Sequence, residues 1–183
     1  MKKPKKSFEI VLSAIACAVA AVSLTVGCYV NVLFAAGILL AVFALMVPLS
    51  KDFIWGAALA FLGSALLAFM FYGFAIVKLV PYLLFFGLHP IINHIQLKFV
   101  KKKWIHAPVL ILKAVWFCLA MWLSFELLAV KVFALNETTW YDWVMQYFHY
   151  VLWLGGTAIF VAYDIMIFLC QYSADKLIKR IRR

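Results

Sequence analysis

Apolar segments of about 20 residues follow one another along the whole chain, separated by short polar or basic stretches. A helix needs about 20 apolar residues to cross a hydrocarbon core of about 30 Å. Hydrophobic residues make up 68% of the 183 residues and charged residues 13%, against roughly 45–50% and 25% in soluble domains. A soluble fold of this size could not cover so much apolar surface. The pattern therefore predicts an all-α, polytopic integral membrane protein.

Six segments are long enough to span the bilayer as helices. They are predicted over Phe8–Val26, Tyr29–Leu49, Phe53–Val77, Leu79–Leu97, Ala107–Val130 and Tyr147–Tyr172. Gly27 and Cys28 are interpreted as the first turn, and Asp52 as an N-cap of the third helix. No stretch between the segments is large enough for a further folded unit. We expect one transmembrane domain over residues 1–183.

The fourth segment leaves two interpretations open, because Pro81, Gly87 and Pro90 interrupt its apolar pattern. It is either a full crossing or a re-entrant segment. If it did not cross, the Lys101–Lys103 cluster would lie outside, on the opposite side from the N-terminal lysines. The positive-inside rule disfavours that arrangement. We therefore expect six helices in the cell membrane, with both termini in the cytoplasm.

The formal net charge of +10 comes from basic residues clustered between the apolar segments. We interpret these clusters as orientation signals that also attract anionic membrane lipid, and we expect no nucleic-acid partner. The chain lacks an H-E-x-x-H motif, a G-x-S-x-G motif and a Walker A loop. His89 and His94 lie about 140° apart around a helix, so they do not share a face. We expect no enzyme activity, no metal site and no cofactor.

Four polar residues inside apolar segments are predicted to meet in the inner half of the bundle. Lys113 and Asp164 lie about 9 Å and 12 Å from the cytoplasmic ends of the fifth and sixth segments, at 1.5 Å per residue. Because these helices are consecutive and antiparallel, the two charges can pair. His89 and Asn93 are four residues apart and share a face. The cluster is interpreted either as a structural ion pair or as a transport or coupling site.

A second candidate site lies at the outer end of the fifth and sixth segments. Glu126 is near the end of the fifth segment, His149 is near the start of the sixth, and the loop between them contains Trp140 and Trp143. Aromatic residues in such a position anchor a protein at the membrane interface. Alternatively, these four residues bind a substrate in a pocket that opens to the outside.

Ala14 and Ala18 form a small-xxx-small pair on the first helix. Such spacing lets two helices approach closely. The pair either packs inside this bundle or docks to a helix of a partner subunit.

This topology, the chain length and the Ala14-x-x-x-Ala18 motif resemble the substrate-binding S components of energy-coupling factor transporters. In that family the motif docks on a transmembrane coupling subunit that works with ATPases, and the outer loops capture a vitamin or a metal. The resemblance implies the substrate-capture membrane subunit of a multi-subunit importer, with an unknown small-molecule ligand. The alternative is a non-transporting scaffold or accessory subunit that binds other membrane proteins, and a third interpretation is an intramembrane enzyme or lipid flippase.

Overall fold

The computed structural model describes residues 6–73, 76–100, 103–131, 146–148 and 150–181. Every regular element in these ranges is helical, which confirms the predicted all-α class. The helices are α1 (Lys6–Tyr29), α2 (Phe34–Leu49), α3 (Ile54–Tyr72), α4 (His89–Phe99), α5 (Lys103–Lys131) and α6 (Gly156–Ile181). Short 3-10 helices lie at Asn31–Leu33 and Ile76–Leu79, and π-helical turns at Tyr82–Phe86 and Val151–Gly155.

Within the described ranges, five stretches are long and apolar enough to cross a membrane. They are Ser7–Tyr29, Asn31–Leu49, Ile54–Tyr72, Trp104–Leu127 and Gln146–Ser173. Their outer surfaces carry large apolar side chains, such as Leu112 at 70% exposure and Leu154 at 76%. Lipid can cover such surfaces, whereas water would make their exposure unfavourable. The chain is a multi-pass helical membrane protein.

The fourth predicted segment is a broken helix rather than one long α-helix. It consists of the Ile76–Leu79 turn, the Tyr82–Phe86 turn and α4. In the π-helical turn the Gly87 amide donates to the Tyr82 carbonyl at 2.8 Å, a bond that spans five residues. Pro81 and Gly87 both keep right-handed helical backbone angles. The prolines and the glycine therefore change the hydrogen-bond pattern without ending the helical path.

The two ends of the broken helix contact opposite ends of α2. Near its start, Lys78 Nζ donates to Asn31 Oδ1 at 2.8 Å, beside the α1–α2 turn. Near its finish, Lys98 Nζ lies 3.3 Å from Asp52 Oδ1 in the α2–α3 turn. The broken helix thus extends along the whole of α2. We call these two ends of the bundle the Lys78 end and the Asp52 end.

The predicted ends of the first and third helices were wrong. Gly27 and Cys28 lie within α1, which continues to Tyr29. α3 ends at Tyr72 rather than Val77, because Gly73 follows with a positive φ of 73° that few other residues adopt.

Asp52 is not the N-cap of α3, so that prediction was also wrong. Phe53 occupies the N-cap position and makes no side-chain capping bond. Asp52 itself has a φ of 60°, and its carboxylate is directed to α4 instead. The side chain therefore ties the α2–α3 turn to the fourth segment.

Helices α1, α2 and α3 pack closely through small residues. Ala20, Ala41 and Ala57 are completely buried. A Cβ on Gly37 would lie 2.5 Å from the Ser23 carbonyl oxygen and 3.0 Å from Gly27 Cα, so the backbones of α1 and α2 nearly touch. This half of the bundle derives its tight packing from alanine and glycine.

Aromatic rings fill the space between the broken helix, α5 and α6. Phe85 is completely buried. Its ring centroid lies 4.9 Å from that of Phe117 on α5 and 5.9 Å from that of Phe160 on α6. One helical turn further along the broken helix, this aromatic core meets the polar side chains that form the candidate site.

Candidate functional site

One buried polar cluster joins α4, α5 and α6. Lys113 Nζ donates to Asp164 Oδ1 at 2.6 Å and to Asn93 Oδ1 at 2.9 Å. His89 Nε2 lies 2.9 Å from the same Asp164 oxygen. Each of the four residues is at most 5% exposed. The structure thus brings together the four residues that were predicted to meet, and the Lys113–Asp164 ion pair is present.

On α5 and α6 the polar residue of the cluster is buried while a neighbour along the chain is exposed. On α5, Ile111 and Leu112 are 65% and 70% exposed, whereas Lys113 is 3% exposed. On α6, Ile165 is 55% exposed and adjoins the buried Asp164. This alternation is the amphipathic pattern of a helix whose polar stripe faces the protein interior.

The hydrogen bonds of the cluster assign the tautomer of His89. An ionised carboxylate can only accept hydrogen bonds, so Asp164 Oδ1 receives one from Lys113 and one from His89. The ring hydrogen of neutral His89 is therefore on Nε2, and Nδ1 carries a lone pair. Among the described residues His89 Nδ1 has no hydrogen-bond partner, and the same holds for Asn93 Nδ2 and the Tyr163 hydroxyl. Buried polar groups of this kind usually bind protein or ordered water, so the cluster has hydrogen-bonding capacity for a further polar group.

Aromatic rings surround the imidazole of His89. Its ring centroid lies 5.0 Å from Phe85, 5.9 Å from Phe160 and 5.0 Å from Tyr163. These rings fix the imidazole plane and separate the cluster from the Lys78 end. A charge pair in this low-polarity environment interacts more strongly than one at the surface.

A cleft of about 220 Å³ lies between α4, α5 and α6, beside Asp164. Its lining includes Gln96, His106 and Leu110 as well as Asp164. Gln96 Nε2 donates to His106 Nδ1 at 2.9 Å. The cleft extends from Asp164 towards the Asp52 end, and His106 and Gln96 were not identified as site residues from the sequence.

The predicted outer site falls mostly outside the described residues. Trp140, Trp143 and His149 are not described. Glu126 is half-buried near the end of α5. Beside it, the rings of Phe125 and Phe148 stack with centroids 4.1 Å apart, which joins the end of α5 to the segment that precedes α6.

The two alanine stripes of α1 have different environments. Ala16, Ala20 and Leu24 are between 0% and 2% exposed and face α2 and α3. Ala14 and Ala18 lie on the opposite, exposed side of the helix. The packing of α1 within the chain therefore uses the first stripe and leaves the predicted docking pair uncovered.

Asp52 is a polar contact point that the sequence did not reveal. Its carboxylate lies 2.9 Å from His94 Nε2 and 3.3 Å from Lys98 Nζ. Burial raises the pKa of Asp52, but the hydrogen bonds from His94 and Lys98 outweigh it and hold the pKa below its ordinary value. His94 is thus directed to Asp52 while His89 is directed to Asp164, in agreement with their separation around the helix.

Comparisons with protein-family models, with curated proteins and with solved structures found no match to this chain. Among the side chains that the structure describes, no group of three or more His, Cys, Asp or Glu residues is placed to hold a metal ion. The fold and the site are therefore the only basis for assigning the class of protein. It is a multi-pass helical membrane protein whose described residues include a buried ionic cluster and an exposed pair of small residues on α1.

Proposed function

We propose that this protein is the substrate-capture subunit of a multi-subunit small-molecule importer and that it docks to a transmembrane partner through α1. The observation that supports docking is the exposure of Ala14 and Ala18. Ala16 and Ala20 already pack α1 against its own bundle, and the described part of the chain leaves Ala14 and Ala18 exposed. Two alanines four residues apart leave a shallow surface on which another helix can lie closely.

The proposed orientation places the Asp52 end in the cytoplasm and the Lys78 end outside. Lys51 and Lys98 lie at the Asp52 end, and the basic cluster 101–103 follows Lys98 closely in the sequence. The positive-inside rule favours this side for the cytoplasm. The broken helix runs along the whole of α2, which supports six crossings. Both termini are then cytoplasmic.

In this proposal the two halves of the bundle have different roles. The closely packed helices α1 to α3 form the docking half. The broken helix, α5 and α6 form the capture half, and the His89–Asp164–Lys113 contacts hold its three helices in register. The ligand would enter near Glu126 at the outer end of α5, where the Phe125–Phe148 stack lies.

A second candidate is a non-transporting accessory subunit that binds other membrane proteins through the same α1 surface. One observation favours it. Two clefts lie beside Asp52 and beside Asp164, both towards the Asp52 end. A capture subunit needs its ligand pocket at the opposite end.

Purification of the tagged protein from its native membranes in a mild detergent tests both candidates. Ala14→Leu adds bulk to a close helix contact, at a cost of about 1–3 kcal/mol, or roughly a 5- to 150-fold loss of affinity. Ala162→Leu is the matched control, because Ala162 is also exposed and lies on α6. Thermal unfolding of both variants checks that they remain folded.

The co-purified proteins decide between the candidates. We expect wild type and Ala162→Leu to retain a membrane subunit together with ATPases, and Ala14→Leu to lose them. Retention of a membrane protein without ATPases would support the accessory subunit. Equal recovery of the partner subunits with wild type, Ala14→Leu and Ala162→Leu would contradict docking through α1.

A further inference from the structure

A second, larger cleft opens between α2, α4 and α6 at the Asp52 end. Its volume is about 530 Å³, within the roughly 300–1,000 Å³ of small-molecule sites. Apolar side chains form its walls: Met46, Leu49, Leu97, Phe168 and Leu169. Leu97 and Leu169 are 47% and 62% exposed, so the cleft is open at the lipid-facing surface of the bundle.

The rim of this cleft is charged. Asp52, His94 and Lys98 line it, and Lys51 adjoins Asp52 in the chain. The single carboxylate is already bonded to His94 and Lys98. Lys51 is not a lining residue, but it lies in the chain between the lining residues Ser50 and Asp52. Two lysines and one aspartate therefore occur at this end of the cleft, and this excess of positive charge complements an anion at the end of an apolar ligand.

One deeply buried amide also lines the cleft. Gln171 is 6% exposed, and its Nε2 donates to the Pro90 carbonyl at 3.0 Å. Its Oε1 is buried and has no hydrogen-bond partner among the described residues. A buried acceptor without a hydrogen bond carries a free-energy cost. An occupant that brings an O–H or N–H group to this depth would remove that cost.

We propose that the cleft binds one anionic phospholipid that carries hydroxyl groups on its headgroup. An acyl chain occupies the apolar walls, the phosphate lies at the rim beside Lys98 and His94, and a headgroup hydroxyl donates to Gln171 Oε1. Basic pockets between transmembrane helices on the cytoplasmic side typically bind anionic headgroups. This inference rests on the proposed orientation of the Asp52 end towards the cytoplasm, but not on the importer function, because it involves no residue of α1.

Lipid binding to the delipidated, full-length protein in detergent tests the proposal. Native mass spectrometry and thermal unfolding are recorded with phosphatidylglycerol, with phosphatidylcholine of the same acyl chains, and with inorganic phosphate alone. We expect one phosphatidylglycerol per chain and a raised melting temperature, with little effect of phosphatidylcholine. Stabilisation by inorganic phosphate to the same extent would show a phosphate site and overturn the lipid assignment.

Two variants and one control locate the site. Leu97→Trp fills the cleft and should abolish the bound lipid, whereas Ile165→Trp, at a lipid-facing position outside the cleft, should retain it. Lys98→Gln should weaken binding about fivefold, because one lysine near anionic lipid contributes about 1 kcal/mol. If Leu97→Trp fails to fold, the Lys98→Gln result decides. Unchanged binding in Lys98→Gln, or equal binding of the two lipids, would overturn the proposal.

Discussion

Replacement of Asp164 by asparagine should destabilise the protein more than any single change at the surface. In the native cluster Asp164 Oδ1 accepts hydrogen bonds from Lys113 at 2.6 Å and from His89 at 2.9 Å. Asp164→Asn leaves the Lys113 ammonium buried without a counter-charge. Breaking a buried pair in this way typically costs about 3–5 kcal/mol. By comparison, Lys98→Met at the exposed Asp52 contact should cost less than about 1 kcal/mol.

A double-mutant cycle separates the ion pair from the rest of the cluster. Lys113→Met removes the ammonium but keeps the His89 donor for Asp164, so its cost should be smaller than that of Asp164→Asn. The double variant Asp164→Asn with Lys113→Met contains no unpaired charge. It should therefore recover at least half of the stability that Asp164→Asn loses.

Reversible unfolding in detergent micelles measures all four free energies of unfolding. The coupling energy of Lys113 and Asp164 is the summed loss in unfolding free energy of the two single variants minus the loss of the double variant. We expect it to exceed about 2 kcal/mol. If the double variant loses as much unfolding free energy as the two single variants together, the residues do not stabilise each other and the reasoning about the cluster is refuted.

Three further changes test other parts of the structure. Gly37→Ala should lower the free energy of unfolding by about 1–3 kcal/mol, because its Cβ would meet backbone atoms of α1. Gly155→Ala is the control, because a Cβ there would lie 4.0 Å from the Val151 side chain, and its free energy of unfolding should equal that of wild type. Because the pKa of Asp52 lies below its ordinary value of 3.8, the Asp52 carboxylate should stabilise the protein above about pH 4, and this stabilisation should be lost as the pH falls further. Unfolding measured against pH should show no such loss in Asp52→Asn. Parallel pH profiles of the variant and wild type would contradict this prediction. Tyr82→Phe removes the 2.9 Å hydrogen bond to Ser64 and should cost about 1 kcal/mol by thermal unfolding, and an unchanged stability would show that this bond contributes nothing.

The polar cluster could be predicted from the sequence because lipid leaves few alternatives for a charge. Lys113 and Asp164 occur at similar depths on consecutive helices, and an unpaired charge at that depth would be costly. The i and i+4 spacing of His89 and Asn93 then places both on one face of α4. The depth of each residue in the membrane and the helical periodicity were sufficient to predict that these four residues meet.

Features that depend on how helices are placed around one another could not be predicted in this way. The stripes Ala14–Ala18 and Ala16–Ala20 have the same spacing, so the sequence does not indicate which one faces the bundle. Asp52 has the residue type and position of an N-cap, and only the arrangement of α4 beside the turn directs it to His94 and Lys98. Each cleft is likewise formed where three helices meet, and the larger one brings together α2 and α6, which are distant in the chain.

The central claim is that the fourth segment crosses the membrane, because the side of the membrane on which all later residues lie depends on this crossing. Single cysteines are introduced at Val32, 91% exposed at the Lys78 end, and at Phe99, 71% exposed at the Asp52 end, in a variant whose four native cysteines are replaced by alanine. Intact cells are treated with a membrane-impermeant thiol reagent. We expect Val32→Cys to be labelled at once and Phe99→Cys only after permeabilisation. Labelling of both cysteines in intact cells would show that the fourth segment does not cross the membrane, and would contradict the account.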